Sequence, residues 1–160
     1  GQVINNMEQK DRSVAMIHQN LSLYPHMSLY DNLAFGLKLR KVPEEQIDRI
    51  VRRTADILDL THLLERKPRA LSRGQKQRAA IGQAAVRNPK IFLMDEPLSN
   101  MDEKLRVQLR ADLKKLCGRT GKTVLYATRD MEEARSLGTQ IVFMKDGGIL
   151  SCENRENNIC

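Results

Sequence analysis

Apolar residues recur along this chain with two different spacings. Val14-Ala15-Met16-Ile17, Ile91-Phe92-Leu93-Met94 and Thr123-Val124-Leu125-Tyr126-Ala127 are short runs of strand length and composition, and Gln140 to Met144 is a fourth. Between them the spacing lengthens to that of helices. Leu29, Leu33 and Leu37, with Phe35, follow Ser28, a residue suited to cap a helix start. Ile47, Ile50, Val51, Ile57 and Leu58 form a second stripe, which begins at Pro43-Glu44-Glu45 with proline and acids in its first turn. A third helix is predicted from Arg73 or Gly74 to Val86, stopped by Asn88-Pro89. Leu105, Leu109, Leu113 and Leu116 share one face of a fourth, from about Asp102 to Cys117. Met131 to Leu137 reads as a short helix ended by Gly138, and Asp146-Gly147-Gly148 as a tight turn.

Strands alternating with helices point to an α/β domain with a mostly parallel sheet. One domain is expected over residues 1–149, with a helical subdomain inserted at about 28–88. Beyond Ile149 the residues are polar and aperiodic, so 150–160 is expected to be a frayed tail.

Composition narrows the function classes. The 160 residues contain no apolar run near the roughly 20 residues that a membrane-crossing helix needs. The first residues carry no basic segment followed by an apolar one, so a signal peptide is not expected. The net charge of +7 would suit an anionic ligand, but the bases are spread along helices, and three Phe and three Tyr make few stacking platforms. Nucleic acid is therefore not an expected partner. Cys117, Cys152 and Cys160 lack the spacing of a disulfide framework, and His18, His26 and His62 share no zinc-ligand spacing. A reducing compartment follows.

Candidate chemistry concentrates in two segments. Asp95-Glu96 closes an apolar strand, the place where α/β sheets set ligand-binding groups. An Asp there can serve magnesium, and the adjacent Glu can order or deprotonate a water; capping a strand beside a proline turn is the plainer alternative. Ser72 precedes a helix whose first N–H groups can receive a phosphate oxygen, a role compatible with ordinary capping. Gly74 would allow close ligand approach, and Arg73 is a cation that either attracts phosphate or blocks it. Gln19 follows a strand and could reach a metal or a water through its carbonyl. Asp102 starts a helix, and Arg129, beyond strand 123–127, could pair with phosphate, with Asp130 or with a nearby acid. No phosphate-gripping G-x-x-x-x-G-K-[ST] motif occurs in the 160 residues.

These segments resemble the ATP-binding subunits of ABC transporters, in particular importers of the maltose and glycerol-phosphate type. Leu71-Ser72-Arg73-Gly74-Gln75 is similar to the family's signature loop, usually Leu-Ser-Gly-Gly-Gln; Ile91 to Glu96 resembles the Walker B strand with its glutamate; Leu98-Ser99-Asn100-Met101-Asp102 resembles the D-loop. Gln19 falls at the Q-loop, with Tyr24-Pro25-His26-Met27 beside it, and Arg129 stands where the family carries its switch histidine.

The resemblance implies ATP and Mg²⁺ as cofactors, with Ser72, Arg73, Gly74, Gln75 and Asp102 at the nucleotide, Asp95 and Gln19 at the metal, and Glu96, Gln19 and Arg129 as the catalytic group. It implies a head-to-tail dimer with a second ATPase subunit, transmembrane permease subunits bound near residues 19–35, and a cytoplasmic place on the inner membrane face. ATP hydrolysis would drive import of a solute such as a sugar. With no Walker A motif, the expectation is a partial P-loop NTPase domain, truncated before the Q-loop and missing its Walker A strand, with autonomous hydrolysis in doubt. Two alternatives accompany it: an interaction subunit that offers its signature face to an intact partner, and a degenerate fragment.

Overall fold

A computed structural model describes residues 3–8, 11–17, 23–99 and 101–155. Three parallel strands, β1 (Val14–Ile17), β2 (Ile91–Asp95) and β3 (Thr123–Ala127), form a sheet with β2 in the centre. Ile17 pairs with Met94, and Met94 with Tyr126, so all three strands end at one edge. Alternation along β2 buries Phe92 and Met94 and leaves Ile91 and Asp95 exposed. The apolar strand is thus two-sided, with one face buried and the other partly open. The opposite face is open at Met16, 48% exposed, and at Leu125, 67% exposed.

Among the described residues, five α-helices accompany the strands. α1 (Leu29–Leu39) is capped by Ser28, whose Oγ accepts from Asp31 N, and α2 (Glu44–Ile57) follows Pro43 as its first-turn acids predict. α3 (Arg73–Ala85) packs against α1 and against β1. α4 (Glu103–Thr120) buries Leu109, Leu113 and Leu116 and ends at Gly121, whose φ of +60° is the left-handed turn that glycine accommodates. α5 (Met131–Leu137) follows β3. Leu29, Leu33, Val51, Ala55, Leu58, Ala79 and Ile81 form the centre of the helical insert, continuous with Ile17, Phe92 and Leu98 of the strand-bearing part. Burying side chains of this size stabilises by about 1.5–3 kcal/mol each.

Asn32 fixes the segment that leads into the insert. It is fully buried on α1, and its Oδ1 accepts from Tyr24 N at 2.7 Å. Its Nδ2 donates to the carbonyls of Tyr24 at 3.1 Å and Ser28 at 2.8 Å. One side chain thus supplies the partner of the Tyr24 N–H and adds a second donor to the Tyr24 and Ser28 carbonyls, which also accept from Met27 N and Asn32 N.

The C-terminal segment departs from expectation. β4 (Gln140–Lys145) and β5 (Gly148–Asn154) form an antiparallel hairpin, so the residues from 150 to 154 are strand and not tail. Their exposure on both sides removes the alternation by which a strand is recognised. The turn between them was legible: Asp146 and Gly147 have φ of +51° and +78°.

Candidate functional site

The shared strand edge gathers the candidate groups. Asp95 ends β2 with an exposed carboxylate that has no hydrogen-bond or ion-pair partner among the described residues. Glu96 follows with φ of +42°, a left-handed conformation uncommon for a residue with a side chain, and its N–H donates to Ala127 O at 3.0 Å. That bond ties the turn after β2 to the end of β3. Ser99 Oγ and N both return to Glu96 O, closing the turn from the other side.

Arg129 completes this corner: its Nε lies 2.9 Å from Glu96 Oε1. The sequence left its partner open between phosphate, Asp130 and another acid, and the neighbours of Asp130 explain the outcome. Asp130 caps α5, with Oδ1 accepting from the N–H groups of Glu132 and Glu133, while Oδ2 accepts from Arg106 Nη1 at 2.8 Å. The Glu133 N–H, then that of Glu132 and the Arg106 guanidinium, hold the Asp130 carboxyl below the usual carboxylate range against the opposing effect of burial. With Asp130 saturated, Arg129 turns to Glu96.

Behind Arg129 lies a network the sequence did not reveal. Glu133 is buried, and its Oε2 accepts from Tyr126 Oη and Thr128 Oγ1, both at 2.9 Å. Burial, and next the charge of Glu133, push the Tyr126 phenol far above its ordinary value, so it stays a donor. Arg110 Nη2 reaches Glu132 at 3.1 Å. The i, i+4 spacing of Arg106 and Arg110 and the acids at 130–133 were visible in sequence, but only the fold sets them face to face.

The start of α3 is the second part of the site. Ser72 and Gln75 form a reciprocal capping box: Ser72 Oγ accepts from Gln75 N at 3.3 Å, and Ser72 N donates to Gln75 Oε1 at 2.9 Å. Gln75 is thereby turned back on the backbone. Ser72 and Arg73 are exposed, and Arg73 has no ion-pair partner among the described residues. Gly74 is buried, and a Cβ there would stand 2.5 Å from Leu105 Cδ1. Its bare Cα therefore serves the close approach of α3 and α4. Asp102 caps α4, accepting from Leu105 N at 3.0 Å.

Two buried side chains join the parts. Gln77 Nε2 donates to Pro97 O at 2.7 Å, linking α3 to the turn that carries Glu96. Arg78 Nε meets Asp112 Oδ2 at 2.8 Å, linking α3 to α4. Gln19 lies outside the described residues. A groove of about 530 Å³ opens between β1 and the insert, walled by Met16, Tyr24, Phe35, Leu39, Arg40 and Arg87.

The sequence model of the ABC transporter family matches residues 1–99. Among curated relatives, the chain is 56% identical over 149 residues to the oligosaccharides import ATP-binding protein MsmX of Bacillus subtilis, covering 93% of the chain and 41% of the relative. It is 58% identical over 138 residues to the trehalose/maltose import ATP-binding protein MalK of Thermococcus litoralis, covering 86% and 37%. The chain thus spans about two fifths of the length of these relatives. The structure of cbiO1 from Clostridium perfringens superposes with a TM-score of 0.84 at 27% identity, over 89% of this chain and 57% of that one.

The family match begins at the first residue, ahead of Gln19. It overturns the expectation of a domain truncated before the Q-loop and missing its Walker A strand. The architecture is instead an ABC-ATPase type of P-loop NTPase fold, with a parallel core sheet and a helical insert. Among the described residues no helix is long and apolar enough to cross a membrane. With the family model matching more than half its length, the chain belongs to the ABC transporter family.

Proposed function

We propose that this chain is a nucleotide-binding subunit of an ABC importer, coupling ATP binding and hydrolysis to uptake of a carbohydrate-class solute. The observation that carries the reading is the pairing of a serine-capped helix start with a carboxylate edge in one fold. Ser72 Oγ and the first N–H groups of α3 would face the γ-phosphate of a nucleotide shared with a second ATPase subunit standing head to tail. Arg73 adds a cation there, and Gln75 and Asp102 each fix the start of their own helix. Asp95, whose carboxylate is unengaged among the described residues, suits magnesium, a cation satisfied by one or two carboxylates together with water and phosphates. Bound magnesium supplies charge neutralisation at the phosphate oxygens. Gln19 would complete its surroundings. Glu96 would orient the attacking water and take its proton, in line with the leaving diphosphate. The phosphate cradle is not assigned to any residue here.

The sugar class rests on the relatives, whose names specify oligosaccharides and trehalose/maltose. Transmembrane permease subunits are the proposed occupants of the groove beside Tyr24 and Phe35, which would place the chain at the cytoplasmic face of a membrane. A second reading, an interaction subunit that lends only its Ser72 face to a partner, is favoured by the existing engagement of Glu96 with Arg129.

The test is sedimentation of this chain with MsmX of B. subtilis, with and without MgATP. Association that requires nucleotide is expected. Ser72→Asp should abolish it while keeping the helix cap, since aspartate caps as well as serine but repels phosphate. Equal association without nucleotide, or full association of the Asp variant, would overturn the reading.

A further inference from the structure

The groove between β1 and the helical insert has an uneven chemistry. Part of its wall is apolar: the rings of Tyr24 and Phe35 stand 4.7 Å apart, centre to centre, and Met16 and Leu39 are 48% and 69% exposed. An apolar trough of this kind suits the anchors of an amphipathic helix. The charged groups are of one sign. Arg40 and Arg87 line the groove, and among the described residues of its wall there is no aspartate or glutamate. Arg87 is unengaged: it is half-buried, with no hydrogen-bond or ion-pair partner among the described residues. Its stem lies across α1 at Gly36, where a Cβ would stand 3.6 Å from Arg87 Cγ. Gln83, a neutral polar residue of the same wall, already donates to Asn32 O.

We propose that Arg87, with Arg40 in the same groove, selects the segment that docks there: a short amphipathic helix of a transmembrane subunit that carries a carboxylate at one end. The proposal rests on the reading of the groove as the permease site, and adds to it the charge that the site requires. A neutral helix laid over Arg87 would strip water from a guanidinium and return nothing, whereas a carboxylate returns charge-assisted bonds in the planar fork that arginine offers. A lysine at the same place would add like-charge repulsion. The net charge of +7 steers the same choice from a distance.

The test follows three fluorescein-labelled, stapled helical peptides binding to the full chain, by anisotropy at low salt. The peptides share one face of leucine and alanine and differ only in carrying two Glu, two Gln or two Lys at each end. Wild type should bind the Glu peptide about two- to fivefold more tightly than the Gln peptide, the weight of an exposed ion pair, and the Lys peptide more weakly than either. Arg87→Met should bind the Gln peptide as wild type does and lose most of the Glu advantage. Arg40→Glu and Arg87→Glu together should reverse the order. Equal affinity of wild type for the Glu and Gln peptides, or an order unchanged in the double variant, would overturn selection by charge and leave the groove reading in place. Leu39→Glu scores the groove itself, by setting a charge in its apolar wall. If no peptide binds wild type, or if binding of the Gln peptide survives Leu39→Glu, the groove reading falls and this proposal with it.

Discussion

Replacing Asn32 by alanine tests whether one buried amide sets the shape of the groove wall. The side chain is fully buried and makes three short bonds, one received from Tyr24 N–H and two donated to the carbonyls of Tyr24 and Ser28. Each such bond contributes a net ~0.5–1.5 kcal/mol, so losing all three costs about 2–4 kcal/mol, with the Tyr24 N–H left without its partner while the two carbonyls keep their backbone donors. A domain of this size has about 5–15 kcal/mol in total. With a urea slope of about 2 kcal/mol per molar, the unfolding midpoint should fall by roughly 1–2 M. Asn32→Asp is the sharper variant. It preserves the acceptor for Tyr24 N–H but sets a buried carboxylate against two carbonyl oxygens, so it should be at least as damaging as alanine. Urea unfolding followed by circular dichroism measures both. An aspartate variant as stable as wild type, or an alanine cost below about 0.5 kcal/mol, would refute the assignment of that turn to Asn32.

Two further outcomes follow from the geometry. Asp130 is held below its ordinary value chiefly by the N–H of Glu133, so its contribution to stability is present above its unfolded pKa of about 3.9 and is lost as pH falls through the lower folded value. The urea midpoint of Asp130→Asn should accordingly be flatter than wild type on acidification below pH ~4, and equal slopes would count against the network. Gly74→Ala should destabilise by about 1–3 kcal/mol despite the better helix propensity of alanine, because the new methyl meets Leu105. Leu105→Ala in the same chain should recover part of that loss in thermal unfolding; strict additivity would show that the two do not touch.

Much of the fold was legible because each element carries its own signal. Ser28, Pro43 and Asp102 mark helix starts, and the leucines from 105 to 116 mark a buried face. What escaped depends on contacts between elements distant in sequence. Arg78 and Asp112 are 34 residues apart, and neither position differs in type from an ordinary solvated charge. Gln77 is buried on α3 with its Nε2 on the carbonyl of Pro97, 20 residues away, a contact that no local pattern announces. The β5 strand was taken for a tail because neither of its faces is covered. At the site, the partner of Arg129 depended on what Asp130 had already accepted, which no spacing rule records.

The connections of α3 have a mechanical consequence. Its first turn carries Ser72, while Ala80, Gln83 and Ala84 in its later turns wall the groove at the far end. Thirteen helical residues span about 20 Å, and Gln77, Arg78 and Gln83 bolt that shaft to three separate neighbours along its length. A push on the groove would thus reach the Ser72 end as a tilt of the whole rod.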